Sequence, residues 1–518
     1  MKKIYMFLLL MASGAFMANN ANAQQVEFPW PNLGEAMVIT PGAPGKINDV
    51  INKDVDASGN RLHKSYILKR GATYLYTAQI QNSGYPLMVV AEDGEGELPI
   101  IKALGPAPGQ NEANRIFHAE GDLYIKNLAL SGWDQGGNFT DNATVRVAAD
   151  GITVVCKGIV FDFNRQNNFR VNAKNAKIYI EDCIIANQGY GSRYDQGFFF
   201  NTRGNFFPIA HIRNNTIYNM QNSVIEHQNG SPRTYQKLIF ESNTVVNTGA
   251  HGMRFGRPDS VIFKNNLIVD MGILGDATQG DRSKFTEPLY FIDIDSVFTD
   301  STNTVLDRPY IDWRSNYFYF NPEVAALLPD SANPANESLF TPYLEDLIGE
   351  NNKKIMLEKF QFANFPATIA EYKAHIDDFY NRADERANLP QFDTPWNELN
   401  FSYSTSLPAY SAATDGGPIG DRNWFPDYVS TGVKKLADEG LLIYPNPASN
   451  VLNVNLGNNR TIVKISLFDI VGKEVKNVSV SGESNFSISV NELRSGLYFA
   501  KFFDSNGPVS TKKLVIKQ

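Results

Sequence analysis

The chain has 518 residues, a formal net charge of -8, 43% apolar residues, two cysteines and six histidines. The acidic surplus argues against nucleic acid as the main partner, because no basic excess exists to neutralise phosphates. The length allows a large core and more than one domain, and the few Cys and His residues do not suggest a zinc site.

Lys2 and Lys3, the apolar run from Ile4 to Met17, and Ala21-Asn22-Ala23 before Gln24 have the order of an export signal, so residues 1–23 are expected to be removed. No later stretch approaches the roughly 20 apolar residues needed to span a bilayer, so no transmembrane segment is expected. Residues 24 to about 65 carry PWPNLGEA and TPGAPGK and are expected to form a lead-in that caps the first coil of the domain. From Tyr66, YILKRGATYLY and YPLMVVAEDGEGELPII predict short strands split by glycine turns.

One ten-residue phrase then recurs: YIKNLALSGW from Tyr124, VVCKGIVFDF from Val154, YIEDCIIANQ from Tyr179, HIRNNTIYNM from His211, IFESNTVVNT from Ile239 and IFKNNLIVDM from Ile262. A worn copy is DWRSNYFYFN from Asp312. The first six starts lie 23 to 32 residues apart, a solenoid period. That is too short for a helix and a strand in every unit, so each unit is expected to be one coil of short strands. The fifth position holds Asn215, Asn243, Asn266 and Asn316. Asparagine tolerates the left-handed bend a coil corner needs, and stacked asparagines can bond coil to coil.

A second strand precedes each phrase. Alternation of side chains predicts an inward stack of Ile116, Val145, Phe169, Phe199, Ile225 and Met253. The next column, Phe117, Arg146, Arg170, Phe200, Glu226 and Arg254, is then expected to point outward. Arg203 and Arg257 fall in a neighbouring column. Cys156 and Cys183 occupy the third and fifth positions of successive phrases, with Cα atoms roughly 8 Å apart, so they are expected to be buried free thiols.

Residues 273 to 430 lose the regular spacing. They are expected to form the last coils with a small helical insertion, ATIAEYKAHIDDFYNRAD, whose Ile369, Tyr372, Ile376 and Phe379 share one face. Residues 431–441 are a polar linker. From Leu442 the alternating strands of LLIYPNPASNVLNVNL, TIVKISLFDIVGKEV, FSISVNELRSGLYFAKFFD and STKKLVIKQ predict a small Ig-like β-sandwich.

Residues 442–518 resemble the type A sorting domain of the type IX secretion system. YPNPASNVLNV, LFDIVGKEV, LRSGLYFAKF and TKKLVI carry the resemblance, in order. It implies passage through an outer membrane, contact with the type IX machinery, removal by a sortase-like peptidase, and a cell-surface or extracellular destination. Residues 24–430 are expected to form one β-helix domain, and residues from about 60 to 430 resemble right-handed parallel β-helix proteins, the all-β architecture of several polysaccharide lyases. The spacing and the asparagine column carry that resemblance, which specifies a fold rather than a reaction.

On such a solenoid an outward column repeats every roughly 4.8 Å, close to the step of sugars along a glycan. Arg146, Arg170 and Arg254 are therefore candidates to meet acidic groups on an extracellular polysaccharide. Glu226 lies among them, and Phe117 and Phe200 are candidates to lie against sugar rings. For β-elimination, His227, Tyr194 and Arg254 are the candidate bases. His227 has the best intrinsic pKa, but alternation points it inward. Hydrolysis would need paired carboxylates, for which Asp195, Glu226 and Asp259 are available. No cofactor is required by any motif; some lyases of the architecture it resembles use calcium, so calcium is the candidate ion. Adhesion or glycan capture without cleavage is the competing expectation.

Overall fold

The computed structural model describes residues 28–42, 46–105, 115–138, 143–189, 196–227, 233–249, 252–272, 291–295, 308–327, 340–349, 355–365, 369–374, 396–426, 428, 442–456, 463–469, 473–480, 485–504 and 507–517. The expected export signal and linker lie outside them, as do Tyr194 and Asp195. The described chain divides into two compact units, Phe28–Val429 and Ser430–Gln518.

The first unit is a parallel β-helix of three sheets. The first sheet stacks Ala36–Ile39, Ser65–Leu68, Leu87–Ala91, Leu123–Lys126, Thr153–Lys157, Lys177–Glu181, Ile209–Arg213, Leu238–Glu241, Ser260–Lys264 and Tyr310–Arg314. The second is built from the later half of each phrase, from Thr73–Tyr76 through Ile184–Gln188 and Thr216–Met220 to Ile355–Met356. The third stacks the preceding strands: Ile80–Gln81, Phe117–Ala119, Ala143–Val147, Asn167–Val171, Phe198–Asn201, Ile225–Glu226, Met253–Arg254 and Ile292–Asp293. Every pairing within these sheets is parallel, each strand meeting the equivalent strand one coil away.

Pairing corrects two details of the phrase. Val155, not Val154, is the partner of Tyr124 and Tyr179, so the second copy starts one residue later and Cys156 stands in the second column. The left-handed residue is the fourth, not the fifth: Asn127, Gly158, Asp182, Asn214, Ser242, Asn265 and Ser315 have φ between 51° and 62°. A second left-handed column falls at the ninth position, with Phe163, Asn187, Asn219, Asn247 and Asp270. Both cysteines are buried and free, and burial raises both thiols above the usual range.

The fifth-position asparagines form a continuous ladder inside the corner. Asn215 Nδ2 donates to Asn243 Oδ1 at 2.9 Å, Asn243 Nδ2 to Asn266 Oδ1 at 3.3 Å, and Asn266 Nδ2 to Asn316 Oδ1 at 2.9 Å. Each amide also donates to a carbonyl one coil back, as Asn243 does to Ile212 O at 3.0 Å. Each oxygen accepts a backbone N–H as well, as Asn243 Oδ1 does from Asn215 N at 3.1 Å. The ladder ends where Cys183 N donates to Asn215 Oδ1 at 2.9 Å. A second, shorter ladder links Asn247 Nδ2 to Asn219 Oδ1 at 2.7 Å and Asn219 Nδ2 to Asn187 Oδ1 at 3.0 Å. Between the corners, inward columns stack like on like: Phe240, Phe263 and Trp313 lie with ring centroids 5.3 and 4.3 Å apart.

Two outer faces are covered by other parts of the unit. On the first sheet, the lead-in does more than cap a coil. Phe28 packs beside Tyr179 and His211, and Trp30 beside Tyr124. The Arg213 guanidinium lies 4.2 Å from the Phe28 ring centroid. Beside it runs a charge ladder in which Lys157 meets Glu181 at 2.8 Å and Lys264 meets Glu241 at 3.0 Å. Burial alone would raise Glu241, but its bonds to His211 and Lys264 hold it down at about 2.

The second sheet is covered from the far end of the unit. After the last coils and the short helices Pro322–Ala325 and Pro342–Ile348, the antiparallel pair Phe362–Asn364 and Asn400–Tyr403 lays Phe362, Phe401 and Tyr403 over Tyr218, Val246 and Leu267. Of the expected helical insertion, residues 369–374 are helical and Tyr372 is buried; Ile376 and Phe379 lie outside the described residues.

The stretch from Thr414 to Trp424 then threads along the corner. Arg422 N donates to Asn214 Oδ1 at 2.8 Å, Thr216 Oγ1 to Asp421 Oδ2 at 2.7 Å, and Trp424 Nε1 to Thr216 Oγ1 at 2.7 Å. Gly420 has φ 89°, and a Cβ there would come within 2.5 Å of Thr244 Oγ1, so only glycine allows this approach.

The second unit is antiparallel throughout its named strands. One sheet joins Leu442–Tyr444, Val451–Asn455 and Asn485–Ser489. The other joins Lys464–Asp469, Glu474–Ser479, Gly496–Asp504 and Gly507–Ile516. Leu452, Val454, Ile465, Leu467, Ile488, Ala500, Phe502 and Leu514 fill the space between them. Asn446 donates to Lys513 O at 2.8 Å and accepts from Val515 N at 2.9 Å, fastening the start of the unit to its last strand.

This packing can be tested at the corner and at the buried carboxylates. Replacing Asn243 by Leu strands the donors of Asn215 and the carbonyl of Ile212 in a dry corner, so unfolding free energy should fall by about 3 kcal/mol or more, measured by denaturant titration. Burial pushes Asp421 up to about 8, and Asp162 and Asp270 to about 7. These folded values lie above the ordinary carboxylate range. Their contribution to stability is therefore full below that range and is lost as pH rises through 7 to 8. Melting temperature should fall between pH 5 and pH 9, and Asp421→Asn should flatten the fall.

Candidate functional site

The outer face of the third sheet has a different character. Its outward column is set by alternation and by register: Gln81, His118, Arg146, Arg170, Asn201, Glu226, Arg254 and Asp293. The strands therefore bring Arg146, Arg170, Glu226 and Arg254 onto one ledge. They do not bring Phe117 or Phe200 there. Phe117 pairs with Val145, and Phe200 pairs with Phe169 and Ile225, so both rings belong to the inward stack and are fully buried. They cannot lie against a sugar. His118 and Asn201 occupy the places expected for them. Ile116 and Phe199 are also buried, one residue out of the stack.

The other candidates separate. His227 lies opposite Thr202, whose hydroxyl is 2.9 Å from its Nδ1. Burial, acting first, pushes it down to about 4. It is an interior imidazole, neutral at physiological pH and out of reach of a polymer on the face. Arg254 stands on the ledge with Nη1 3.8 Å from Glu226 Oε1. Asp259 is engaged by Arg233 at 3.2 Å. Arg203 follows Asn201 by two residues and is exposed; Arg257 approaches Asp295 at 3.5 Å.

Charge is unevenly distributed along this face. Its carboxy-terminal half pairs cations with carboxylates: Arg254 with Glu226, Arg257 with Asp295, and Arg254 beside Asp293 in register. Its amino-terminal half holds Arg115, Arg146, Arg170 and Arg203, of which Arg115 and Arg146 act on His118. Burial lowers the Arg170 pKa first, and Arg203, Arg146 and Arg115 lower it further. Arg115 is lowered by burial and then by Arg146. Arg203 and Arg146 thus stand close enough to Arg170 to repel it, as Arg146 does Arg115.

His118 is placed between charges. Its Nδ1 is 3.1 Å from Arg115 Nη1 and its Nε2 is 3.3 Å from Glu120 Oε1. Burial, followed by Arg115, pushes its pKa down, so the neutral tautomer carries its proton on Nε2 and turns a lone pair on Nδ1 toward Arg115. The sequence did contain the signal for His118. In Phe117-His118-Ala119 the polar residue sits between two that alternate inward.

Among the described residues no group of three or more His, Cys, Asp or Glu side chains is placed to hold a metal ion, and no helix is long and apolar enough to cross a membrane.

Residues 442–517 match the family model described as the secretion system C-terminal sorting domain. No curated protein matches the chain. The sorting domain of the type IX system marks proteins exported through the outer membrane to the cell surface or extracellular space, so the β-helix works outside the cell and the carboxy-terminal unit addresses it there. A chain lacking Leu442 to Gln518 should accumulate in the periplasm, as fractionation and immunoblotting would reveal; normal appearance in the medium would contradict this role.

Proposed function

We propose that the β-helix binds an extracellular acidic polysaccharide along the outer face of the third sheet. The observation that carries this reading is the single in-register column holding His118, Arg146, Arg170, Asn201, Glu226 and Arg254. Its step of roughly 4.8 Å sets His118, Arg146 and Arg170 on successive coils, while Asn201 and Glu226 further along it are buried. The half-buried arginines need little further ordering to bind, and they meet anionic oxygens through paired N–H donors. The two other faces are committed to packing against the lead-in and the returning segment.

Cleavage by β-elimination is the second reading, and His118 favours it. A uronate carboxylate drawing Arg115 away would free the Nδ1 lone pair. His118 could then take the C5 proton, the electron pair would form the C4–C5 double bond, and the C4–O bond would break, its oxygen leaving with a proton from water. Arg146 would hold the carboxylate charge that develops at C5.

Affinity electrophoresis on pectate, alginate and chondroitin sulfate tests the first reading. Arg146→Ala and Arg170→Ala should each weaken retardation about tenfold, and retardation should fall steeply with added salt. Unchanged affinity in both variants would remove the face from consideration. Ultraviolet absorbance of unsaturated products tests the second: His118→Ala should retain affinity and lose product, whereas absence of product from the unaltered chain leaves binding alone.

A further inference from the structure

We infer that His118 is a proton-operated catch on Arg115: the neutral ring holds the guanidinium, and the protonated ring releases it onto the ledge, so that the face grips an acidic polymer more tightly as pH falls. The inference rests on the acidic-polysaccharide reading above and adds its regulation.

Hydrogen-bond roles fix the resting state. Arg115 Nη1 lies 3.1 Å from His118 Nδ1, and a guanidinium can only donate, so Nδ1 presents its lone pair. Glu120 Oε1 lies 3.3 Å from His118 Nε2, and an ionised carboxylate can only accept, so Nε2 carries the proton. A single tautomer of the neutral ring satisfies both contacts. Glu120 is itself held in place. Gln81 Nε2 donates to its Oε2 at 2.7 Å, Ser83 Oγ donates to the same oxygen, and Glu120 N donates to Asn82 Oδ1 at 3.0 Å. The bond from Ser83, then that from Gln81, lowers the Glu120 pKa, so this carboxylate stays ionised while the imidazole titrates.

A proton added at Nδ1 reverses one contact and keeps the other. Nε2–H still donates to Glu120, now as a charge-assisted bond. At Nδ1, however, an N–H meets the N–H of a second cation, and the Arg115 fork is expelled. His118 and Arg146 are partners on adjacent strands, roughly 4.8 Å apart. The charge gained by the ring therefore falls beside Arg146. Gln81, the partner on the other side, is neutral. The charged groups acting on the ring are Arg115, Glu120 and Arg146.

A polyanion seated on Arg146 offsets those cations and raises the pKa of the ring. By linkage the proton strengthens the hold on the polyanion by the same factor. The added affinity is full below the pKa of the free ring and is lost as pH rises through the pKa of the bound one. Burial, then Arg115, holds the free ring below the ordinary histidine range, so the step falls on the acidic side of neutrality.

The full chain is titrated calorimetrically with pectate between about pH 7.5 and about pH 5, in paired buffers that differ in ionisation enthalpy. The uronate groups stay ionised throughout. Affinity should rise several-fold on acidification, with net uptake of protons on binding. The imidazole resonance of His118, assigned by its loss in His118→Gln, should titrate at higher pH with pectate than without it. His118→Gln should abolish both the step and the proton uptake. Glu120→Gln should move the step to lower pH, because the ring loses its anionic partner, with an unaltered melting temperature as the check on folding. Affinity independent of pH, a step that survives in His118→Gln, or a resonance that titrates alike with and without pectate overturns the catch and leaves the acidic-glycan reading standing. Absence of binding at every pH ends both.

Discussion

The turn at the fourth residue of each phrase governs the rest of the molecule. A residue held at φ near 55° swings the chain from the first sheet to the second over one peptide. That conformation costs most residues energy and costs Asn, Asp and Gly least. Because it recurs at the same place in successive coils, the next residue always points into the corner, where an asparagine can bond upward, downward and to two backbone groups at once. The ladder makes register an all-or-none matter: slipping one coil by one residue would leave several buried amides without partners. In-register stacking is therefore enforced, and stacking is what converts residues some thirty positions apart into neighbours on a ledge.

A solenoid built this way has three long faces and must dispose of each. The first and second carry apolar or mixed columns, and the unit covers them with its own ends. The segment before the first coil lies on one face, and the segment after the last coil returns across the other. The return is tied to the corner residues themselves, Asn214, Thr216, Thr244 and Asn265, so the same positions that set the bend also dock the covering chain. It is stitched through Asp421, whose carboxyl burial pushes up to about 8, which joins the packing of this face to pH.

How much of this is legible in the sequence depends on how far each signal reaches along the chain. The repeat, the inward stack and the asparagine ladder are local patterns, and β-branched alternation carries them. The departures fall where alternation fails. Phe198, Phe199 and Phe200 give no polar residue to mark a face, so the pattern points to Phe200 where the outward residue is Asn201. Ile116 and Phe117 blur the same choice beside His118, and the consecutive valines at 154 and 155 shift one phrase by one position. The returning segment is not legible at all. Its partners lie about two hundred residues earlier, and nothing in DGGPIGDRNWF names them. The charged ledge is legible in outline, because Arg146, Arg170, Glu226 and Arg254 each stand between apolar neighbours or beside one.

The asymmetry of that ledge carries a consequence for binding in an acidic protein. A chain with net charge -8 repels a polyanion at long range, and salt screens that repulsion over roughly 10 Å. Attraction must then come from short-range contacts in a place where positive charge is concentrated and partly desolvated. Of the two halves, the one that holds Arg115, Arg146, Arg170 and Arg203 has the greater density of like charge. A polymer on this face would be anchored at one end by charge and guided along the rest by hydroxyl and amide contacts, giving the site a direction along the axis of the coils. Repulsion of Arg170 by Arg203, Arg146 and Arg115 is tolerated in the folded chain because the paired strands hold these positions in register. The backbone ladder thus keeps the cations together in advance, and on the proposed reading an anionic polymer would gain from a repulsion that folding has already overcome.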